Sequence, residues 1–124
     1  MCKKRRSITQ FTYDIEECID IIQEEVENKN YEEFVEDKKT IGYIERQLEK
    51  IGEAITQIQK IDNIILMRIY ADKAYWENIK GVRNRIIHEY WGTSLMMLYE
   101  ISKFELDELK ELILKVREEV KEIE

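Results

Sequence analysis

The sequence contains no proline and only four glycines among its 124 residues. Proline breaks the interior of a helix and glycine weakens it, so this scarcity favours long, uninterrupted helices. No apolar run approaches the roughly 20 residues of a membrane span. No segment alternates between apolar and polar residues as a half-buried strand does. The sequence therefore predicts one all-α domain, long enough to bury a core.

Cysteine and histidine are equally scarce, with only Cys2, Cys18 and His88 present. They form no C-x-x-C pair and no Cys/His cluster, which argues against a zinc site or a disulfide framework. We therefore expect no metal and no cofactor. Because the thiols are free and no signal peptide is evident, we expect a cytoplasmic protein.

A chain-wide excess of positive charge, the usual feature of nucleic-acid-binding proteins, is absent as well. The formal net charge is −7, from 20 basic and 27 acidic residues. Four of the basic residues form one block, Lys3–Arg6. We expect residues 1–8 to be a flexible basic N-terminus and residues 9–124 to form the domain. The basic block either acts as a solubilising end or contacts phosphate groups.

Apolar residues recur at steps of three and four along most of the chain, as in helices that bury one face. The predicted helices cover residues 9–29, 31–35, 38–60, 64–70, 77–90 and 94–122. The apolar stripe of the last helix extends to Ile123, and residues 71–76 are predicted to be a connection. These elements predict an up-and-down helical bundle with long antiparallel helices.

What the chain does contain is a compact polar motif around its only histidine. Residues 81–91 are GVRNRIIHEYW. On an ideal helix, Val82 and Ile86 lie on the core face and His88 points to the opposite side. His88 is therefore either an exposed surface histidine or a group available for chemistry.

The spacing within the motif restricts how its polar groups can meet. Arg83 and His88 are five residues apart, about 140° around a helix, so one regular helix does not direct both at one atom. Either the helix distorts near Gly92, or a second copy of the chain completes the site. Asn84, four residues before His88, can hydrogen-bond the imidazole or share its ligand.

These residue types suit RNA cleavage better than metal-dependent hydrolysis, acyl transfer or nucleotide binding by a glycine loop. RNA supplies its own nucleophile, the 2′-OH, so the enzyme needs only an acid–base group and a cation. His88 suits the first task because its pKa lies near neutrality, and Arg83 suits the second because it is always charged. With one histidine per chain, separate base and acid roles require a dimer.

The spacing Arg83-x4-His88-x-Tyr90 resembles the R-x4-H-x-Y signature of HEPN-domain ribonucleases, and most closely that of the HepT-like toxins. Three further segments resemble this family in the same order: Tyr31–Phe34, Leu48–Ala54 and Trp76–Asn84. Together the resemblance covers about residues 11–115. The tryptophan, the glycine and the Gly-Glu-Ala block make it more specific than the short motif alone.

The resemblance implies a HEPN-like bundle that dimerises through the motif helix, with the two sites facing each other. It implies the toxin of a type VII-like toxin–antitoxin pair, an endoribonuclease that needs no metal and leaves a 2′,3′-cyclic phosphate. By position, Arg83 and His88 are then the catalytic pair and Asn84 supports them. The antitoxin of this subfamily, an MntA-like minimal nucleotidyltransferase, adds AMP to the motif tyrosine, which makes Tyr90 the expected modification target.

Because the chain is acidic, we expect RNA to be bound by local cations, namely Arg83, Arg85, Lys80 and the basic N-terminus of the partner protomer. Glu53, in the Gly-Glu-Ala block, receives no catalytic role, since capping or pairing with an arginine explains it equally well. Two other hypotheses stay open. The chain is either a non-catalytic HEPN module that binds nucleotide or supports a nucleotidyltransferase, or a plain dimerising bundle.

Overall fold

The computed structural model describes the backbone of residues 6–88 and 93–124, and the side chains of residues 6–81 and 95–124. Over these residues the chain is helical and contains no strand, which confirms the predicted all-α bundle. The elements are α1 (Ile8–Val26), α2 (Tyr31–Glu36), α3 (Lys38–Ile61), α4 (Ile65–Ile69), α5 (Lys73–His88), α6 (Thr93–Glu100), a π-helical segment (Ile101–Glu105) and α7 (Leu106–Val120).

The first three helices begin at polar side chains that satisfy the free N–H groups of a first turn. Ser7 and Gln10 form a reciprocal capping box at α1, and Asn30 and Glu33 form another at α2. At α3, the Asp37 carboxylate accepts a hydrogen bond from the Thr40 N–H at 3.1 Å. These local signals explain why the helices start where they do.

The core lies between α1, α3, α5 and α7. α1 packs against both α3 and α7, and α3 packs against α5 on its other side. Isoleucines at steps of three and four dominate this core, including Ile15, Ile22, Ile51, Ile55 and Ile113. α3 is therefore the central helix that joins α5 to the rest of the bundle.

α5 begins at Lys73, four residues before its predicted start, so the prediction of a connection over residues 71–76 is wrong after residue 72. The Asp72 carboxylate accepts a hydrogen bond from the Tyr75 N–H at 3.1 Å and so caps the helix. Trp76 is 1% exposed, and its indole N–H donates to the Tyr70 carbonyl at 2.9 Å. Burial of this indole draws the segment onto the core and starts the helix earlier.

The predicted last helix is divided into α6, the π-helical segment and α7. In the π-helical segment, the Lys103 ammonium donates to three backbone carbonyls at the end of α1, those of Val26, Glu27 and Lys29, at 3.0–3.2 Å. Val26 is the last residue of α1, and Glu27 and Lys29 follow it, so the ammonium caps the C-terminal end of this helix, whose last carbonyls have no partner within the helix. α1 ends at Val26, before the predicted residue 29.

The two ends of the described chain also differ in detail from the prediction. α1 begins at Ile8, and the Arg6 guanidinium pairs with Asp14 at 2.6 Å. Residues 1–5 of the predicted flexible N-terminus lie outside the described residues. Ile123 was predicted to continue the apolar stripe of the last helix, but it is 74% exposed because α7 ends at Val120.

Candidate catalytic helix

Residues 81–88 of the motif lie on the second half of α5. The backbone of Arg83, Asn84, Arg85 and His88 is helical, and the helix continues to His88. The side chains of these four residues lie outside the described residues, and so does the whole of Tyr90. The predicted directions of these side chains therefore remain predictions. What the structure gives is the backbone of the helix as far as His88.

α3 approaches the backbone of α5 just before the motif. Gly52, in the middle of α3, is buried, and a Cβ atom at this position would lie 3.1 Å from the carbonyl oxygen of Lys80. This distance is shorter than an ordinary van der Waals contact between carbon and oxygen. The absence of a side chain at Gly52 therefore allows the two helices to come this close.

The side chain of Lys80 also contacts α3. Its ammonium donates a hydrogen bond to Oε1 of Gln59 at 2.8 Å and lies 3.6 Å from a Glu77 carboxylate oxygen. The side chain is 26% exposed. The lysine expected to bind RNA is thus already held between α3 and α5. Neither Gln59 nor Glu77 stands out in the sequence, because Gln59 is 21 residues from Lys80 and Glu77 is an ordinary charged neighbour on the same helix.

A shallow groove of about 360 Å³ runs between α3 and α5 beside the motif. Its lining residues are Glu49, Gly52, Glu53, Thr56, Glu77, Lys80 and Gly81. The Glu53 carboxylate accepts a hydrogen bond from the Gln57 amide at 2.9 Å. The described lining of the groove carries three carboxylates and one ammonium.

An aromatic cluster holds the first turn of α5. The ring centroids of Tyr70 and Tyr75 are 5.0 Å apart, and those of Tyr75 and Trp76 are 5.2 Å apart. Burial raises the pKa of Tyr75, and the nearby carboxylates of Glu108 and Glu105 add to this effect. Its phenol therefore stays protonated at neutral pH.

Other chemistry finds little support in the part of the chain that the structure describes. No group of three or more His, Cys, Asp or Glu side chains in that part is arranged to hold a metal ion. Burial raises the pKa of the Cys18 thiol to about 11, so it is protonated and a poor nucleophile. Among the described helices, none combines the length and the apolar character needed to cross a membrane.

The family model described as ribonuclease HepT-like matches residues 15–116. This range extends from α1 to α7 and includes the whole motif. The chain belongs to the HepT-like ribonuclease family. Membership confirms the HEPN HepT-like resemblance that the motif and its neighbouring segments indicated.

Several related proteins align with nearly the full length of the chain. Two candidate RNases of Methanocaldococcus jannaschii are similar to it. MJ1216 is 33% identical over 120 residues, which are 97% of this chain and 93% of the relative. MJ0125 is 30% identical over 118 residues, which are 95% of this chain and 97% of the relative. A candidate ribonuclease HepT of Thermococcus cleftensis is 31% identical over 113 residues, covering 91% of this chain and 98% of the relative. No solved structure matches the chain significantly.

Proposed function

We propose that this HepT-like protein is a metal-independent endoribonuclease and the toxin of a toxin–antitoxin pair. The observation that carries the proposal is the family match over residues 15–116, because that range contains Arg83-x4-His88-x-Tyr90. Arg83 and His88 lie on the last turns of α5, and the core holds the other end of this helix. Each chain therefore supplies the helical scaffold together with one Arg83 and one His88.

The chemistry follows from what RNA itself provides. His88 accepts the proton of a 2′-OH, whose oxygen attacks the adjacent phosphorus and forms the 2′,3′-cyclic phosphate. The bond from phosphorus to the 5′ oxygen breaks, and the leaving oxygen takes a proton from the partner subunit's His88. Arg83 stabilises the negative charge that develops on the phosphoryl oxygens, and Asn84 orients the imidazole or the phosphate.

This division of roles between two histidines requires a homodimer that joins through the motif helices. Each chain has one histidine, whereas the reaction uses one base and one acid. Arg83 and His88 are also about 140° apart on a regular helix, so a facing copy can supply the group that one helix cannot. Both arguments favour a site composed of two protomers.

RNA binding in this proposal depends on Arg85 and Lys80 beside the catalytic pair. The 3.6 Å ion pair between Lys80 and Glu77 is partly exposed to solvent. Such pairs contribute roughly 0–1 kcal/mol, so an RNA phosphate can replace Glu77 at little cost. The net charge of −7 predicts weak RNA binding away from this site.

The first test is cleavage of a short single-stranded RNA in the presence of EDTA. Wild-type protein should cleave it, and His88→Ala and Arg83→Ala should each lower the rate at least about a hundredfold, since each removes a whole catalytic group. Arg46→Ala is the matched control, because Arg46 is an exposed arginine on α3. Circular dichroism should show unchanged helicity in all three variants.

Two results would contradict the proposal. If both motif variants cleave as fast as wild-type protein, the catalytic residues are assigned wrongly. If folded wild-type protein does not cleave RNA in EDTA, the metal-independent ribonuclease is excluded and the non-catalytic HEPN module is favoured.

The second part of the proposal is inhibition by AMPylation of Tyr90. An AMP group on the phenol, two residues from His88, places a bulky anion where the RNA phosphate binds. Co-expression with an MntA-like nucleotidyltransferase should add the mass of one or more AMP units and abolish cleavage. Tyr90→Phe should gain no AMP and remain active under the same conditions. AMP on the Phe variant, or full activity of the modified protein, would refute the role of Tyr90.

A further inference from the structure

Gly52 differs from the other glycines that the structure describes. A Cβ atom at Gly42 or at Gly81 would meet no atom within 4 Å. At Gly52 it would lie 3.1 Å from the carbonyl oxygen of Lys80, 3.5 Å from its Cα and 3.7 Å from its carbonyl carbon. All three neighbours are backbone atoms, which cannot rotate away as the end of a side chain can. Alanine at position 52 therefore requires α3 and α5 to separate locally.

Lys80 is held by α3 at two points. Its carbonyl oxygen would lie 3.1 Å from a Cβ atom at position 52, and its ammonium donates to Gln59 at 2.8 Å. Gly52 and Gln59 are seven residues apart, about two helical turns, and so lie on the same side of α3. One contact limits the distance between the helices, and the other limits sliding along the axis. Together they fix the place of Lys80 relative to the central helix.

The held residue is one turn from the catalytic motif. In an α-helix the carbonyl of residue i accepts a hydrogen bond from the N–H of residue i+4, so the Lys80 carbonyl is the acceptor for the backbone N–H of Asn84. Arg83 precedes Asn84, and the helix continues without a break to His88. A displacement of the Lys80 carbonyl is therefore passed directly to the backbone that carries the motif.

We propose that Gly52 is a positioning residue of the site: the missing side chain lets α3 set the place of the motif helix through the Lys80 backbone. The catalytic consequence rests on the proposed ribonuclease function, whereas the structural consequence does not. A composite site needs groups from two protomers at defined separations, so a shift of a few tenths of an ångström in each α5 lowers the rate of the chemical step.

The test compares Gly52→Ala with Gly42→Ala. Both substitutions lie within α3 and replace a helical glycine by the best helix-forming residue, so their effects on helix propensity are matched. Gly42→Ala should leave the RNA-cleavage kcat unchanged and keep or raise the melting temperature. Gly52→Ala should remain helical and lower kcat roughly tenfold or more, while KM changes much less.

A second measurement does not depend on activity. Backbone amide chemical shifts recorded by NMR should change in Gly52→Ala at residues 80–88 of α5, and in particular at the Asn84 N–H. In Gly42→Ala, changes should stay near position 42. If wild-type protein does not cleave RNA, the proposed function fails, and the amide shifts still decide whether Gly52 positions the motif helix.

A third variant covers the case in which Gly52→Ala does not fold. Gln59→Leu keeps the size of the side chain but removes the acceptor of the Lys80 ammonium. It should perturb the same α5 amides and lower kcat by a smaller factor than Gly52→Ala. The proposal is overturned if folded Gly52→Ala keeps wild-type kcat or perturbs only α3 amides. It is equally overturned if Gly52→Ala is unfolded and Gln59→Leu changes neither quantity.

Discussion

The helix pairs α1–α7 and α3–α5 are joined in different ways. Between α1 and α7, long polar side chains cross the surface of the interface. The Arg117 guanidinium donates to Glu16 at 2.7 Å and to Thr12 at 3.1 Å. Lys110 pairs with Asp20 at 2.7 Å in the same interface. Side chains of this length can follow a small shift of either helix by changing rotamer, so these contacts tolerate movement.

Between α3 and α5, by contrast, the backbone of one helix lies close to a glycine of the other. Gly52 meets the Lys80 backbone, and the Lys80 ammonium donates to Gln59. A contact between main-chain atoms fixes a distance, because neither partner has a rotamer to change. We infer a division between the two pairs: contacts between α1 and α7 contribute to the stability of the fold without fixing the motif, whereas contacts between α3 and α5 also fix the geometry of the motif.

The largest effect that would test this division is expected at Trp76. Trp76→Ala removes a fully buried indole at the start of α5 and should lower the free energy of unfolding by about 3–5 kcal/mol. It also leaves the Tyr70 carbonyl without its 2.9 Å donor. Urea denaturation measures the loss, and the RNA-cleavage kcat of the remaining folded protein should fall because the start of α5 is no longer held.

Phe104→Ala is the matched aromatic control. Phe104 lies in the π-helical segment and is 68% exposed, so its removal should change the free energy of unfolding by no more than about 0.5 kcal/mol. If Trp76→Ala costs no more than this control, burial of the indole does not hold α5. The proposed origin of the early start of the helix would then be wrong.

Periodicity predicted the helices because each one buries a single face. The stripe of α3, for example, places Ile44, Leu48 and Ile51 in the core. Helix ends were predicted less well where distant residues determine them. α5 starts early because Trp76 is buried, and α1 ends early beside Lys103, which lies 77 positions from Val26. Neither contact is visible in local sequence.

The π-helical segment shows the same limit. Ser102 and Leu106 are four residues apart and both are buried, as they would be in a continuous α-helix. The spacing therefore carries no sign of the wider turn. The segment coincides with the carbonyl contacts of Lys103 at the end of α1, which depend on tertiary structure.

For the candidate site, the sequence identified the motif and its helix but not what holds that helix. Arg83 and His88 were singled out because their residue types and spacing suit RNA cleavage, and their catalytic roles stay a prediction. The sequence indicated Gly52 and Ala54 as small residues that allow a neighbouring helix to come close, but it did not indicate which helix does so. Its contact with Lys80 joins positions 28 residues apart in the chain, and only the packed structure reveals it.

A smaller effect is expected at Arg117, on the side of the bundle that the comparison assigns to fold stability. Arg117→Met keeps most of the aliphatic stem but removes the hydrogen bonds to Glu16 and Thr12 and the guanidinium 3.6 Å above the Tyr13 ring. The Arg117 side chain is 16% exposed, so its ion pair is intermediate between an exposed and a buried one. Its removal should therefore lower the free energy of unfolding by about 1–2 kcal/mol.

Because α1 and α7 are joined by adaptable side chains, Arg117→Met should leave the RNA-cleavage kcat of folded protein unchanged, unlike Gly52→Ala. Lys115→Met, at an exposed position of the same helix, is the control for loss of a positive charge and should alter neither stability nor kcat appreciably. Urea denaturation and single-turnover cleavage of the same preparations separate the two quantities. If Arg117→Met lowers kcat as much as Gly52→Ala, the α1–α7 pair also sets the geometry of the motif, and the division between the two helix pairs fails.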